Sequence, residues 1–395
     1  MDDILRMLNI MDAEMKKKGI KKGDIAKFFD VSPGTVSNMF NRKYKIGYMK
    51  FIQLTRMIFG QYNHDFIRRF CRSAKTKIEV EALEWAYSNG DMEVLELLVE
   101  REKGYNNRNT TKEKQQIEES EPVTITSAYE LQLQRMTGKI ARELFYKKNH
   151  KMKRKVKNTD IAMFVLVHLN CMYSYIDRHS YREVWPLGVS LLEDIEEIEN
   201  DYLRLSLEIR VKIALLYTGV RAKKYTECEI MANEILSRKG LIDDFPLHYN
   251  NVLICLSEIF ALTDFEKSSS YINQAVEMMD KGYFDNNEGW KWKIKSTYDF
   301  IHIYHNKLNK DKLYLEAPDE KAHFLAKGNE EERKEAIRIL NELQKEYGED
   351  DEFVAYYKAL ALNDVELMRE ARAMFRDAGD YHYSQMATDF IENSK

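Results

Sequence analysis

The chain is predicted to be all-α: a small helix-turn-helix head followed by a long superhelical array of helical hairpins. Three observations carry this. Proline (5) and glycine (16) are scarce among 395 residues, which suits long helices with short turns and disfavours sandwiches, barrels and glycine-rich phosphate-binding folds. From about residue 65 onward, apolar residues recur at helical spacing in segments of roughly 14–20 residues, and pairs of segments repeat at about 35–45 residues. Ahead of them lies GDIAKFFDVSPGTVSNMFNRK, Gly23 to Lys43, in which two short amphipathic helices meet at a tight turn.

In that stretch, Gly23 and Asp24 suit a helix start, and Ile25, Phe28 and Phe29 form an apolar face. Asp30 stands where the sharp turn favours glycine, and Asp tolerates positive φ better than most residues. Ser32 followed by Pro33 is an N-cap with proline at the first helical position. Val36, Met39 and Phe40 then face inward, leaving Gly34, Thr35, Ser37 and Asn38 outward at the N-terminal end of the second helix. A recognition helix presents that end to base edges in the major groove. Lys22, Asn41, Arg42, Lys43 and Lys45 are placed to hold phosphates, and Ser32 completes the DNA-binding set. Residues 1–80 carry 17 Lys+Arg against 8 Asp+Glu, leaving 44 against 57 in the rest. A basic head on an acidic body points to a polyanion met by the head alone. The pattern resembles the helix-turn-helix of the Cro and phage-repressor type.

Domains are expected at 1–62 (helix-turn-helix), 63–103 (connecting helices), 104–126 (a polar linker or loop, GYNNRNTTKEKQQIEESEPV at its heart) and 127–395 (a tetratricopeptide-like, or TPR-like, solenoid). The segment 127–147 reads as one helix. In REARAMFRDAGD, Ala371 and Ala378 stand where helices of such repeats approach closely. The basic run 147–157 (KKNHKMKRKVK) reads as a solvated helix end in preference to a second phosphate-contacting surface.

No Walker loop, GxGxxG, GxSxG or HExxH occurs, so no enzyme, metal or cofactor is expected. His302 and His305 share a helix face, but without a third ligand they read as packing residues. Glu193, Asp194, Glu196, Glu197 and Glu199 read as a solvated face, and Met278, Met279, Trp290 and Trp292 as core or groove lining. Cys71, Cys171, Cys228 and Cys255 form no CxxC pair, no apolar run reaches membrane-spanning length, and the acidic N-terminus lacks the order of a signal peptide. A cytoplasmic location is the expectation.

A helix-turn-helix followed by a TPR-like array resembles the peptide-pheromone receptors of Gram-positive bacteria. The stretch DFIRRFCRSAKTKIEVEALEWAYSNGDMEVLELLVE (Asp65 to Glu100), with YTECEIMANEIL, DEKAHFLA and YYKALALNDVELMREARAMFRDAGD, is similar to the AimR arbitrium receptors of temperate Bacillus phages. The resemblance implies that 127–395 binds peptide and dimerises. It implies a peptide-free activator of transcription on a double-stranded operator, switched off by an imported peptide of about six residues with an Arg-Gly-Ala ending. Matched to the family pattern, Glu320 and Asp380 fall on acidic peptide-binding positions, with Asp350 and His382 as further groove positions. Tyr217 and Glu258 replace asparagines that clamp a peptide backbone, and His248 falls near an arginine for the peptide's carboxylate, which implies a different signal specificity. A homodimer is expected, since one head reads few base pairs; the resemblance implies that the apolar C-terminal helix through which relatives dimerise would fall beyond Lys395. The alternative is a peptide-responsive scaffold whose solenoid binds a protein rather than DNA.

Overall fold

The computed structural model describes residues 3–109, 123–157, 160–285, 287–347 and 351–394, and these are helical without a strand among them. Two compact units emerge, one of residues 1–170 with 197–206 and the other of 171–196 with 207–395. This division places 127–170 with the first unit rather than with the remainder of 127–395.

The first unit opens on α1 (Asp3–Lys18), whose Ile4, Met7, Leu8, Met11 and Met15 are buried at helical spacing. α2 (Lys22–Phe28) begins just before Gly23, with the Asp24 carboxylate accepting the Lys21 N–H at 2.8 Å. The chain turns at Asp30, which adopts φ 50°. α3 (Pro33–Phe40) starts on Ser32, whose Oγ accepts the Thr35 N–H at 3.1 Å, the cap that satisfies an otherwise orphaned donor. Ile25, Ala26, Val36, Met39 and Phe40 are buried between these helices, but Phe28 is 55% exposed, against the expected inward face. α2 ends at Phe28, and its ring turns out against Phe29 at 5.0 Å.

α4 (Tyr48–Phe59), α5 (His64–Ser73), α6 (Val80–Ser88) and α7 (Met92–Asn109) follow. Phe51 of α4 stacks on Phe70 of α5 at 3.9 Å, and Trp85 of α6 is wholly buried. Burying rings of this size contributes roughly 1.5–3 kcal/mol each. α7 carries helix through Asn109, beyond the expected linker start at 104; residues 110–122 of that linker lie outside the described residues. The expected single helix 127–147 is two, α8 (Ile125–Met136) and α9 (Arg142–Lys155), because Gly138 takes φ 68° after Thr137 and ends the first. The basic run falls on α9, mostly exposed. A satisfied polar cluster lies in this unit's core: the buried Glu84 carboxylate accepts hydrogen bonds from Ser88, Ser206 and Tyr129.

α10 (Ile161–Asp177) and α12 (Asp201–Arg221) contribute residues to both units. The second unit adds α11 (Val184–Ile195), α13 (Tyr225–Leu236), α14 (Leu241–Asp244), α15 (Pro246–Phe260), α16 (Phe265–Asp280), α17 (Glu288–Tyr304), α18 (Pro318–Ala326), α19 (Glu330–Tyr347), α20 (Glu352–Leu362), α21 (Val365–Ala378) and α22 (Ser384–Asn393). Each of α15 to α22 packs mainly on its sequence neighbours, the solenoid-like pattern in which a repeat buries its apolar face against the next. The starts are locally specified: Asp264, Asn287, Asp351 and Asp364 each accept an N–H of the first turn of their helix. Ala371 is fully buried and Ala378 half-buried. Packing is close at Gly219 of α12, where an added methyl would lie 2.5 Å from Cys228 Sγ and 2.6 Å from the Trp185 ring. Gly219→Ala is therefore expected to cost about 1–3 kcal/mol, read as a lower urea midpoint; an unchanged midpoint would contradict this packing.

Candidate functional site

The head presents one polar surface. Ser32, Gly34, Asn38, Asn41, Arg42, Lys43 and Lys45 are exposed, and Thr35 and Ser37 half-exposed. The loop after α3 folds back because the Asn38 carbonyl accepts the N–H groups of Lys43 (2.9 Å) and Tyr44 (3.2 Å). The backbone at Lys43 and Tyr44 is thereby held against the end of α3. Two candidates are partly committed to the protein itself. Ser32 Oγ serves the cap and lies 2.9 Å from Thr35 Oγ1, while the half-buried Lys22 places its ammonium 5.6 Å from the Phe40 ring. Tyr44, 50% exposed beside Lys43 and Lys45, joins this surface and goes unnoticed in the sequence, although a tyrosine between basic residues is the available signal.

In the second unit the described groove candidates separate into three places, all buried except the half-buried Tyr217. The first gathers Tyr217, Glu258, Asp380 and His382 around Arg221, a residue that sequence reasoning misses. At the end of VKIALLYTGVR it reads as a solvated helix terminus, yet it is 5% exposed. Its guanidinium lies 3.4 Å from the centre of the Tyr217 ring and 5.5 and 5.6 Å from those of Tyr181 and Tyr383. Its nitrogens lie 3.6 Å from Glu258 Oε2 and 3.5 Å from Asp380 Oδ2, and one donates to the Tyr217 carbonyl at 2.9 Å. The Arg221 carbonyl in turn accepts the N–H groups of Tyr381 (2.8 Å) and His382 (3.1 Å), tying the turn before α22 onto α12. Asp380 also accepts the Tyr383 N–H at 2.9 Å, and the Tyr383 hydroxyl donates to Glu258 at 3.3 Å.

Burial raises the Asp380 carboxyl to about 6 even though Arg221 opposes the shift. Burial, with Arg221 adding to it, lowers His382 to about 3, so its ring is neutral, with Nδ1 2.8 Å from the Tyr225 hydroxyl. Glu352 borders the cluster; burial pushes its carboxyl up, but the hydrogen bond with His179 at 2.8 Å leaves it below the usual range.

Glu320 sits apart. Its oxygens lie 3.1 Å from the Tyr357 hydroxyl and 3.2 Å from His323 Nδ1, and burial, with the charge of Asp319, pushes it well above the ordinary range. His248 stands alone in a third place, 4% exposed, stacked on Phe245 at 5.9 Å, with no hydrogen-bond partner for either ring nitrogen; burial lowers it to about 3. Asp350 lies outside the described residues. The His302 and His305 rings are committed to packing, each with a nitrogen 2.8 Å from a backbone carbonyl, those of Tyr298 and Ala261. Met278 and Met279 are buried and Trp290 reaches Asn250 at 3.0 Å, but Trp292 is 45% exposed and lines no core. Among the described residues no helix is long and apolar enough to cross a membrane.

Comparison with known proteins agrees with this architecture. The family described as AimR transcriptional regulator-like matches residues 64–392. An uncharacterised Bacillus anthracis protein, pXO2-35, is 25% identical over 242 residues, which cover 61% of this chain and 88% of that one. Two solved structures share the fold. That of phAimR with a ligand has a TM-score of 0.68 at 14% identity, covering 87% of this chain and 96% of the other. That of selenomethionine phAimR has 0.62 at 14%, covering 98% and 96%.

Proposed function

This chain belongs to the AimR transcriptional regulator-like family, and we propose that it acts as a homodimeric, DNA-binding regulator gated by a short peptide. On this reading the head holds a double-stranded operator, and the second unit receives an imported peptide of about six residues. The peptide-free protein activates transcription that favours phage lysis in the cytoplasm of the bacterial host; the bound peptide switches it off. The chain is a regulator and carries no catalytic role. The observation that supports the output best is the geometry of α3. Capped by Ser32, it leaves Gly34 and Asn38 exposed and Thr35 and Ser37 half-exposed, and the exposed Arg42, Lys43 and Lys45 follow in the loop tied to the Asn38 carbonyl.

The test is titration of the chain against duplexes from the region flanking its own gene and against scrambled duplexes. Replacing Ser37, Asn38 and Arg42 by alanine is expected to abolish the preference for one duplex, at about 1–3 kcal/mol for each hydrogen-bonded base edge given up. Replacing Lys43 and Lys45 by alanine is expected to weaken all duplexes alike and to reduce the log–log salt slope by about 0.9 for each phosphate no longer neutralised. If the unaltered chain shows no preference for any flanking duplex, the operator reading is wrong.

A further inference from the structure

A cavity of about 490 Å³ lies in the second unit away from Arg221, within the size range of small-molecule sites. It is lined by Phe265 at the start of α16, by Tyr298 and His302 of α17, and by the loop after α17, which contributes Lys307, Asn309 and Lys312. Phe300 of α17 meets Tyr383, beside Arg221, at 5.5 Å. Tyr298 and His302 are each two residues from Phe300, about 200° around the helix, so the cavity lies on the opposite side of α17. Its rings are continuous: His302 stacks on Tyr298 at 3.9 Å, and Phe265 meets His302 edge-on at 5.3 Å. The loop is fixed at both ends. The Lys307 N–H donates to the His302 carbonyl at 2.8 Å, and the buried Asp299 carboxylate accepts the N–H groups of Tyr314 (2.9 Å) and Leu315 (2.7 Å). Leu315 is held there at φ 51°, a left-handed conformation that leucine seldom adopts.

His302 Nδ1, 2.8 Å from the Tyr298 carbonyl, carries the ring's proton, since a carbonyl only accepts. Burial lowers the His302 pKa, and the charges of His305, Lys307 and Lys312 add to the lowering, so the ring is neutral and its Nε2 is an acceptor. Lys307 and Lys312 are exposed, and the Lys307 ammonium lies 5.1 Å from the centre of the Phe265 ring. Among the described residues no carboxylate lines the cavity, although residues 81–395 carry 57 Asp+Glu against 44 Lys+Arg. A hollow with two cations, three rings and no carboxylate, set in an acidic stretch of chain, selects an anion that carries an aromatic ring.

We propose that this cavity binds a nucleoside monophosphate, with the base on the rings of Tyr298, His302 and Phe265 and the phosphate between Lys307 and Lys312. Each half of the site calls for its own half of the ligand. Rings alone would accept any neutral aromatic molecule, and lysines alone any phosphate; together they favour one molecule that carries both. A phosphate monoester bears a charge of about −1.5 to −2 at neutral pH, which two ammonium groups balance. Hydrogen bonding to the base edge and the sugar falls to His302 Nε2 as acceptor and to the Asn309 amide as donor, because Asn309 Oδ1 already accepts the Asp311 N–H at 3.1 Å. A nucleotide held in this way bridges α16, α17 and the loop between α17 and α18. It is a second input to the second unit, separate from the groove positions around Arg221.

The experiment titrates the full chain calorimetrically with AMP, adenosine and ribose 5-phosphate. AMP is expected to bind at least about tenfold more tightly than either fragment, since adenosine gives up the charged contacts and ribose 5-phosphate the stack. Lys307→Ala with Lys312→Ala, both at exposed positions, should weaken AMP at least about tenfold and leave adenosine unchanged. Tyr298→Leu should weaken AMP and adenosine and spare ribose 5-phosphate. Photolabelling with 8-azido-AMP, followed by mapping of the modified peptides, should mark residues 298–313. Absence of saturable AMP binding, AMP bound no more tightly than either fragment, or AMP affinity unchanged in the lysine variant would each overturn the site. Labelling confined to residues 22–45 would place the nucleotide on the basic head and overturn it as well. The probes involve neither operator nor peptide, so failure here leaves those readings standing, and their failure leaves this site standing.

Discussion

Replacing Glu258 by glutamine and Asp380 by asparagine together is expected to cost about 3–5 kcal/mol of stability, the penalty for stranding a buried charge. Arg221 is 5% exposed, so water cannot take over from the missing carboxylates. Neither can the guanidinium escape by losing its proton, since its ordinary pKa lies far above neutrality. Burial disfavours the Arg221 charge, but Tyr217, Glu258 and the other neighbours more than offset that and hold it protonated. Either single replacement should cost less, because one carboxylate remains within 3.6 Å. The double replacement should exceed the sum of the two, as expected for residues sharing one partner. Adding Arg221→Met to the double variant should restore much of the loss, because a buried charged cluster exchanged whole for apolar or neutral groups is often neutral or stabilising. Urea unfolding of the four variants checks this. A double variant as stable as the parent would mean that Arg221 is not enclosed as described.

Replacing His248 by leucine should remove one acid-dependent loss of stability, which sets in as pH drops below about 6.5. His248 and His382 are both lowered to about 3 by burial, from an ordinary 6.5. Between those values the unfolded chain binds a proton that the folded chain refuses, so acid favours unfolding by up to about 1.4 kcal/mol per pH unit for each ring. Asp380 acts in the opposite sense. With a folded value of about 6 against an ordinary 3.8, it contributes stability at low pH that is lost as pH rises through about 6. His323, lowered by burial, and Glu320, raised by it, form a second opposed pair. His302 is lowered by burial as well, and Asp299, Asp319 and Asp351 are raised by it, so the test is the difference between variant and parent rather than the net slope. His248→Leu removes one ring whose nitrogens bond to nothing and should raise stability at pH 5 relative to that at pH 7 by about 2 kcal/mol. It should also raise stability at neutral pH, since two buried polar atoms without partners disappear. Identical pH profiles for variant and parent would show that His248 stays uncharged for another reason or is reached by water.

The helices, their starts and the character of the head are legible in the chain alone. Ser32 and Pro33, the turn at Asp30, and the Asp or Asn residues that open α16, α17, α20 and α21 act within three residues of themselves, and an apolar period of 3.6 is a property of one segment. The outward set at the start of α3 follows from the same period once the inward residues are known. Local rules fail where a residue's surroundings come from elsewhere. Phe28 has the spacing of a core residue but turns outward, because the helix ends beneath it. The stretch 127–147 has an unbroken pattern, yet Gly138 breaks it in a left-handed turn.

Among the site residues, Tyr217, Glu258, Asp380 and His382 are identifiable only through resemblance. Their grouping comes from α12, α15 and the turn before α22 meeting at one point. Arg221 shows the limit most clearly. By sequence it is an arginine at a helix end, where solvation is the default; in the folded chain it is enclosed by three rings and two carboxylates. Periodicity, capping and charge balance are local and additive, so the amino-acid order states them directly. Burial of a charge depends on which distant groups the packing brings within a few ångströms, and only the tertiary structure decides that.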